Sequence, residues 1–228
     1  MHPVKRLMIG IDQSPADEIL LRFCSNFAEK IDIDRIYMVH AASNLELHES
    51  ILHKYPDLIA PVDENIRYET KILIDKYFST ALRSRTEVLI IEGNPLKTLL
   101  KEIVVKEIDV LLMGKKSRQG SSGFLARKMA QLANCSVAII NEDLSFADET
   151  HPGIKVLIPV DFSEHSILAL EMGKMLSGKI GKLKLDIQHV FRVPSGYHYS
   201  GKSFDEFAGI MENNSKEQMI RLLQTVEI

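Results

Sequence analysis

The sequence predicts an α/β fold: a five-stranded parallel doubly wound sheet with helices on both faces, followed by a partial second copy. Three observations predict it. Five short apolar runs alternate with stretches of helical periodicity up to residue 141. The runs are continuously apolar, as strands buried on both faces of a parallel sheet read. After a polar segment, the opening pattern restarts.

The first run is Arg6 to Ile11, RLMIGI, closed by Asp12. Ser14 suits a helix N-cap, Pro15 the first helical position, and Asp17 the acid of a capping box. Ile19, Leu20, Phe23, Phe27 and Ile31 then form an apolar stripe at helical spacing. Arg35 to Ala41 is the second strand. Pro56 and Pro61 break the stretch from Ser43 to Ile66, and a helix is expected over about Val62 to Leu82. Glu87 to Ile91 is the third strand, and Gly93-Asn94-Pro95 turns the chain into a helix from Leu96 to Lys106. Asp109 to Met113 is the fourth strand, ending at Gly114. The polar loop KKSRQGSSG follows, then a helix over Phe124 to Leu132 and a fifth strand over Ser136 to Ile140.

Residues 142–153 are polar and acidic and read as a linker. The restart is gapless: Asp12 and Asp161, Ser14 and Ser163, and His40 and His189 each stand 149 residues apart. The expected organisation is a domain over 1–141, the linker, and the N-terminal half of a second domain over 154–228. The same shift would carry a complete second copy to about residue 290, so about 60 residues are expected to be missing from it. Such a half domain is expected to expose apolar faces and strand edges, and a homodimer would cover them.

Hydrophobic residues make up 45% and charged residues 26% of the 228, the balance of a folded chain rather than a disordered one. A net charge of −3 argues against a general nucleic-acid binder. No run approaches the ~20 apolar residues of a membrane span, and the apolar run near the start is too short for a signal peptide. No membrane partner and a cytoplasmic location are the expectation. Two cysteines, Cys24 and Cys135, make no disulfide framework and read as small buried hydrophobes. Asp161, Ser163 and His165 have the residue types of a hydrolase triad, but they lie within one turn, where helix capping accounts for them. Pro194 to Phe207, carrying Tyr197, His198, Tyr199 and Phe204, reads as a long loop, either a lid or a solvated connection.

In open parallel sheets, ligands bind beyond the carboxyl ends of strands where the strand order reverses. With strands one and four as neighbours there, the site is built from Asp12 and the loop Gly114 to Gly123, bordered by Ala41. Gly120, Ser121, Ser122 and Gly123 run directly into a helix, where backbone N–H groups and the helix dipole favour an anion. Lys115, Lys116, Arg118, Arg127 and Lys128 surround the loop and suit phosphate. A solvated loop with ordinary surface charge is the other reading of these residues.

The restart Val156 to Ser163, VLIPVDFS, resembles the opening strand and turn of universal stress proteins. So do Gly93-Asn94-Pro95, Asp109 to Gly114 (DVLLMG) and Cys135 to Ile140 (CSVAII), in the family's order along nearly the whole chain. The resemblance implies a tandem member, strand order 3-2-1-4-5, and ATP with Mg2+ as ligand. It assigns an acid after strand one, matched by Asp12, and backbone contact to adenine after strand two, matched by Ala41. The family's glycine pattern after strand four is only partly kept. Gly114 matches its first glycine, Ser117 replaces the second, Gly123 serves as the third only in a shorter loop, and Phe124 replaces the hydroxyl residue. The second copy keeps Asp161 but lacks the loop.

The expected function is a non-enzymatic stress-response protein. It would bind an adenine nucleotide or another anion through Asp12, Ala41, Gly114, Gly120, Ser121, Ser122 and Gly123, and act through dimerisation. The alternative is an interaction module that binds no nucleotide.

Overall fold

The computed structural model describes residues 4–43, 54, 62–115, 123–141, 154–180 and 183–228. They fall into two compact units, one ending at Asn141 and the other beginning at Ile154. The linker read at 142–153 lies outside the described residues.

The first unit runs β1 (Arg6–Ile11), α1 (Ala16–Lys30), β2 (Arg35–Ala42), α2 (Val62–Tyr77), α3 (Thr80–Arg83), β3 (Thr86–Glu92), α4 (Pro95–Val105), β4 (Val110–Lys115), α5 (Phe124–Leu132) and β5 (Ser136–Asn141). All four strand pairs are parallel, in the order β3-β2-β1-β4-β5. This is the expected doubly wound sheet. Its central strands are apolar because helices close both faces. On one face, Met8, Val39, Leu111 and Met113 pack with Leu99 and Ile103 of α4 and with Ala126 and Met129 of α5. Toward α1, Leu20, Leu21 and Cys24 are fully buried. Burial drives the Cys24 thiol pKa far above its ordinary value, and that of half-buried Cys135 up to about 11. Both therefore behave as the small hydrophobes expected of them.

One long helix was expected over Val62 to Leu82; two form. The break falls at Phe78, which is buried, and at Ser79, whose hydroxyl accepts from Leu82 N and starts α3 afresh. The helix after Gly93 forms as expected. Asn94 caps it by accepting from Lys97 N at 3.2 Å, with Pro95 in the first turn.

The second unit contains β6 (Ile154–Val160), α6 (Glu164–Ile180), β7 (Leu183–His189), a 3-10 turn (Ser195–Ser200) and α7 (Phe204–Val226). β6 and β7 pair in parallel, and each pairs with no other described strand. Ile158, Val160, Leu170, Leu222 and Val226 form the core against α6 and α7. The segment read as a loop over Pro194 to Phe207 is instead ordered. The 3-10 turn packs Tyr197 edge-on to Phe204, and Ser203 with Glu206 forms a complete capping box on α7.

Large hydrophobic side chains of this unit are exposed, among them Leu168, Val190, Tyr199 and Ile220, but the outer face of its sheet is largely polar. The outer face of its sheet carries Lys155, Leu157, Pro159, Lys184, Asp186 and Gln188, all exposed. At the matching positions of the first unit, Tyr37 and Val39 pack toward α4 and α5. Asp186 and Gln188 in their place make the face of β7 polar, and Leu157 is the one large hydrophobic side chain on it.

Candidate functional site

The strand order reverses between β1 and β4, so a crevice opens beyond their carboxyl ends. It holds a cavity of about 390 Å³. β1 contributes Gly10 and Ile11, the turn after it Asp12 and Ser14, β2 Val39 and Ala41, and β4 Met113 to Lys115. Gly123 to Ala126 supply the start of α5, and Pro95 and Leu99 of α4 form an apolar wall. A mainly apolar lining with a few polar groups is how small-molecule sites are usually built.

Hydrogen bonds of one acid shape the turn after β1. Buried Asp17 accepts from Gln13 N at 2.8 Å and from Asp12 N at 3.3 Å. Asp12 Oδ1 in turn accepts from Ser14 N at 3.2 Å, an Asx turn. The knot holds Gln13 at φ 61°, in the left-handed region that non-glycine residues seldom enter. Ser14 does not cap α1 through its side chain, as the sequence suggested. Neither half of the expected capping box forms: Asp17 reaches past Ser14 to the N–H groups of Gln13 and Asp12, and Ser14 N donates to Asp12 instead. Ser14 lines the cavity, and its Oγ is buried with no hydrogen-bond partner among the described residues.

At the other wall, Gly123 sits at φ 53° as the N-cap of α5, with no side-chain cap on that helix. The left-handed conformation suits glycine and turns the helix N-terminus toward the cavity. Gly114 has a packing reason: a Cβ there would lie 3.1 Å from Ala16 Cβ on α1. Phe124 is exposed at the cavity lip, with Lys128 Nζ 6.0 Å from its ring centroid.

The cavity therefore brings together Asp12, Ala41, Gly114 and Gly123 of the expected site. Gly120, Ser121 and Ser122 lie outside the described residues. Sequence reasoning missed Ser14 as a lining group because its position before Pro15 reads so well as a cap. It also missed the Pro95–Leu99 wall, which the apolar stripe of the helix after Gly93 could have revealed. Among the described residues, no group of three histidines, cysteines or acids could hold a metal ion. No described helix is long and apolar enough to cross a membrane.

The second unit repeats the turn with one exchange. Phe162 takes φ 65°, and Ser163 N donates to Asp161 Oδ1 at 3.0 Å. Ser166 stands where Asp17 does. Its hydroxyl accepts from Asp161 N at 2.9 Å and donates to Asp161 Oδ1 at 2.8 Å. Hydrogen bonds from the Ser163 side chain, the Ser166 side chain and the Ser163 backbone lower the Asp161 carboxyl to about 2. The ionised form is therefore favoured on folding. Its contribution to stability is full above the ordinary value of 3.8 and is lost as the pH falls through about 2. Ser166→Ala is expected to move this titration upward toward the ordinary value, read from the carboxyl carbon shift in a pH series. An unmoved midpoint would show that the hydroxyl is not what holds the charge.

Part of this chain is similar to solved structures of low sequence identity. A universal stress protein UspA from Lactobacillus plantarum is 13% identical, with 61% of this chain and 99% of that chain covered and a TM-score of 0.47. One from Archaeoglobus fulgidus, in complex with dAMP, is 17% identical, with 60% and 97% covered and a TM-score of 0.41. One from Arabidopsis thaliana, with AMP bound, is 12% identical, with 60% and 91% covered and a TM-score of 0.43. No curated protein matches the chain by sequence. The model of the universal stress protein family matches residues 3–141, the whole sheet and every described wall of the cavity. The chain therefore belongs to the universal stress protein family.

Proposed function

We propose that the first unit binds an adenine nucleotide in the crevice beyond β1 and β4, and that it senses this ligand rather than transforming it. The observation that carries the reading is the cavity of about 390 Å³ at the reversal of strand order, which sets the apolar walls of β2, α4 and β4 against the turn after β1 and the start of α5. Val39, Leu99 and Met113 offer apolar surface to a base, with the Ala41 backbone beside them. Lys115 and the uncapped start of α5 suit phosphate oxygens. Asp12 is placed for ribose hydroxyls. Solved family members carrying dAMP and AMP support the choice of base. ATP with Mg2+ is the form we propose, the cation carried on the phosphates because Asp17 is occupied by backbone N–H groups. The described cavity walls contain no histidine or cysteine to pair with a nucleophile, which favours a binding role. We place the protein in the cytoplasm, acting in the stress response.

Calorimetric titration with ATP·Mg2+, with AMP as comparison, tests this. One saturable site is expected, and Lys115→Ala is expected to weaken ATP by about tenfold while leaving AMP within about threefold. No heat at millimolar ATP, from a chain shown to be folded, would sink the reading.

A second reading, an interaction module acting as a homodimer, is favoured by the second unit. β6 and β7 each leave one edge unpaired among the described strands, a surface that invites association. Sedimentation equilibrium is expected to give twice the chain mass, and a strictly monomeric mass would exclude the dimer.

A further inference from the structure

His40 and His189 hold the same place in their strand pairs. Each is the last register partner of the strand beside it, His40 opposite Ile11 and His189 opposite Val160. In the second unit, His189 Nδ1 lies 2.8 Å from the Val160 carbonyl, and its ring rests on Phe162 at 4.3 Å. A carbonyl can only accept, so Nδ1 carries the proton there. That carbonyl belongs to the peptide leading into Asp161.

In the first unit, His40 is only 8% exposed. Strand alternation puts it on the face of Ile36 and Met38, opposite Val39 and Ala41, which line the cavity. Its Nδ1 is buried with no hydrogen-bond partner among the described residues. Ile11 is the register partner of His40, as Val160 is that of His189. Burial lowers the His40 pKa, opposed first by the Ile11 carbonyl and then by the Asp12 charge. Ile11 leads into Asp12 as Val160 leads into Asp161. A ring that never reaches the cavity thus adjoins the peptide that aims the cavity's acid.

We propose that His40 is a positioning residue: its Nδ1–H donates to the Ile11 carbonyl, as His189 does to Val160, and so fixes the Ile11–Asp12 peptide and the direction of the Asp12 carboxylate. The effect on affinity rests on the nucleotide-binding reading; the hydrogen bond itself does not. The neutral ring suffices, because the Nδ1–H tautomer donates without a charge. His189 shows that the device belongs to the strand pair and does not depend on a filled cavity.

The test uses the full chain without nucleotide first. Nitrogen-15 spectra of the histidine rings are expected to show the Nδ1–H tautomer at both His40 and His189. The Nε2–H tautomer at His40 would overturn the proposal whether or not the protein binds ATP. Two variants then separate positioning from packing. His40→Asn keeps an N–H close to the place of Nδ1, whereas His40→Leu fills the space without a donor. The Asp12 amide resonance is expected to stay near its wild-type position in His40→Asn and to move in His40→Leu. ATP affinity is expected to remain within about threefold for His40→Asn and to fall about tenfold for His40→Leu. Equal behaviour of the two folded variants would overturn the proposal. Absence of ATP binding by the wild type would remove the nucleotide reading and leave the tautomer and the Asp12 amide to decide this one.

Discussion

Asp17→Ala is expected to destabilise the first unit by about 3 kcal/mol and to weaken nucleotide binding by at least about tenfold. Asp17 is 2% exposed, and its carboxylate accepts from the N–H groups of Gln13 and Asp12. Hydrogen bonds to a charged acceptor are worth more than neutral ones, and their loss strands two backbone donors in a tight turn. The same bonds hold Gln13 in its left-handed conformation. Without them the residue is free to relax to negative φ, which would swing Asp12 and Ser14 out of register with the cavity. The second unit supplies the control. Ser166 does the work of Asp17 there, with one bond to the Asp161 amide and one to its carboxylate. Asp17→Ser is therefore expected to recover at least half of the lost stability. Because the chain has two compact units, global melting mixes their contributions. Hydrogen exchange at β1 and β4 amides reads the first unit directly. Protection within 1 kcal/mol of wild type in Asp17→Ala would refute this account of the turn.

The parts of this fold that were legible in the sequence owe their legibility to burial on two faces. β1, β2 and β4 are sealed between helices, so their apolar runs are unbroken and their ends are marked by Asp12, Ser43 and Gly114. The crevice followed from topology alone, since ligand sites in such sheets lie where the strand order reverses. Ser14 was misread because Ser-Pro before an apolar stripe fits a capped helix. Whether such a serine caps its helix or lines a cavity depends on a wall from α4 that is distant in sequence. The break between α2 and α3 was hidden because Phe78 continues the apolar stripe while Ser79 ends the helix.

The second unit teaches a different lesson. The 149-residue register invites reading β7 as a copy of β2, buried on both faces. Its own pattern, Leu183-Lys184-Leu185-Asp186-Ile187-Gln188, alternates with period two, the mark of a strand with one wet face. Both signals were present, and local periodicity was the better guide to burial. Repeat register was the better guide to the turn: Gln13 and Phe162 share the same unusual φ although their side chains have nothing in common.

Gly114→Val is expected to destabilise the first unit by about 3 kcal/mol, through packing rather than through lost contact with phosphate. A Cβ at this position would lie 3.1 Å from Ala16 Cβ and 3.5 Å from Leu20 Cδ1. Leu20 can change rotamer, but Ala16 has no side-chain torsion and can yield only if α1 moves. The first turn of α1 cannot move freely, because Asp17 ties it to the end of β1. Two γ-carbons on valine deepen the clash, so α1 must lift from β4 and the Asp12 turn must move with it. Gly114→Ala adds only the Cβ, and the lower entropy of its unfolded chain offsets part of the strain, so about 1 kcal/mol is expected. The pair separates two roles for this glycine. If it serves packing, stability and ATP affinity fall together from alanine to valine, and the exchange protection of α1 falls with them. If the glycine were kept for close approach of a ligand to the backbone, Gly114→Ala would already lose most of the affinity while α1 kept its protection. That outcome would reassign Gly114 from the helix packing to the phosphate wall of the cavity.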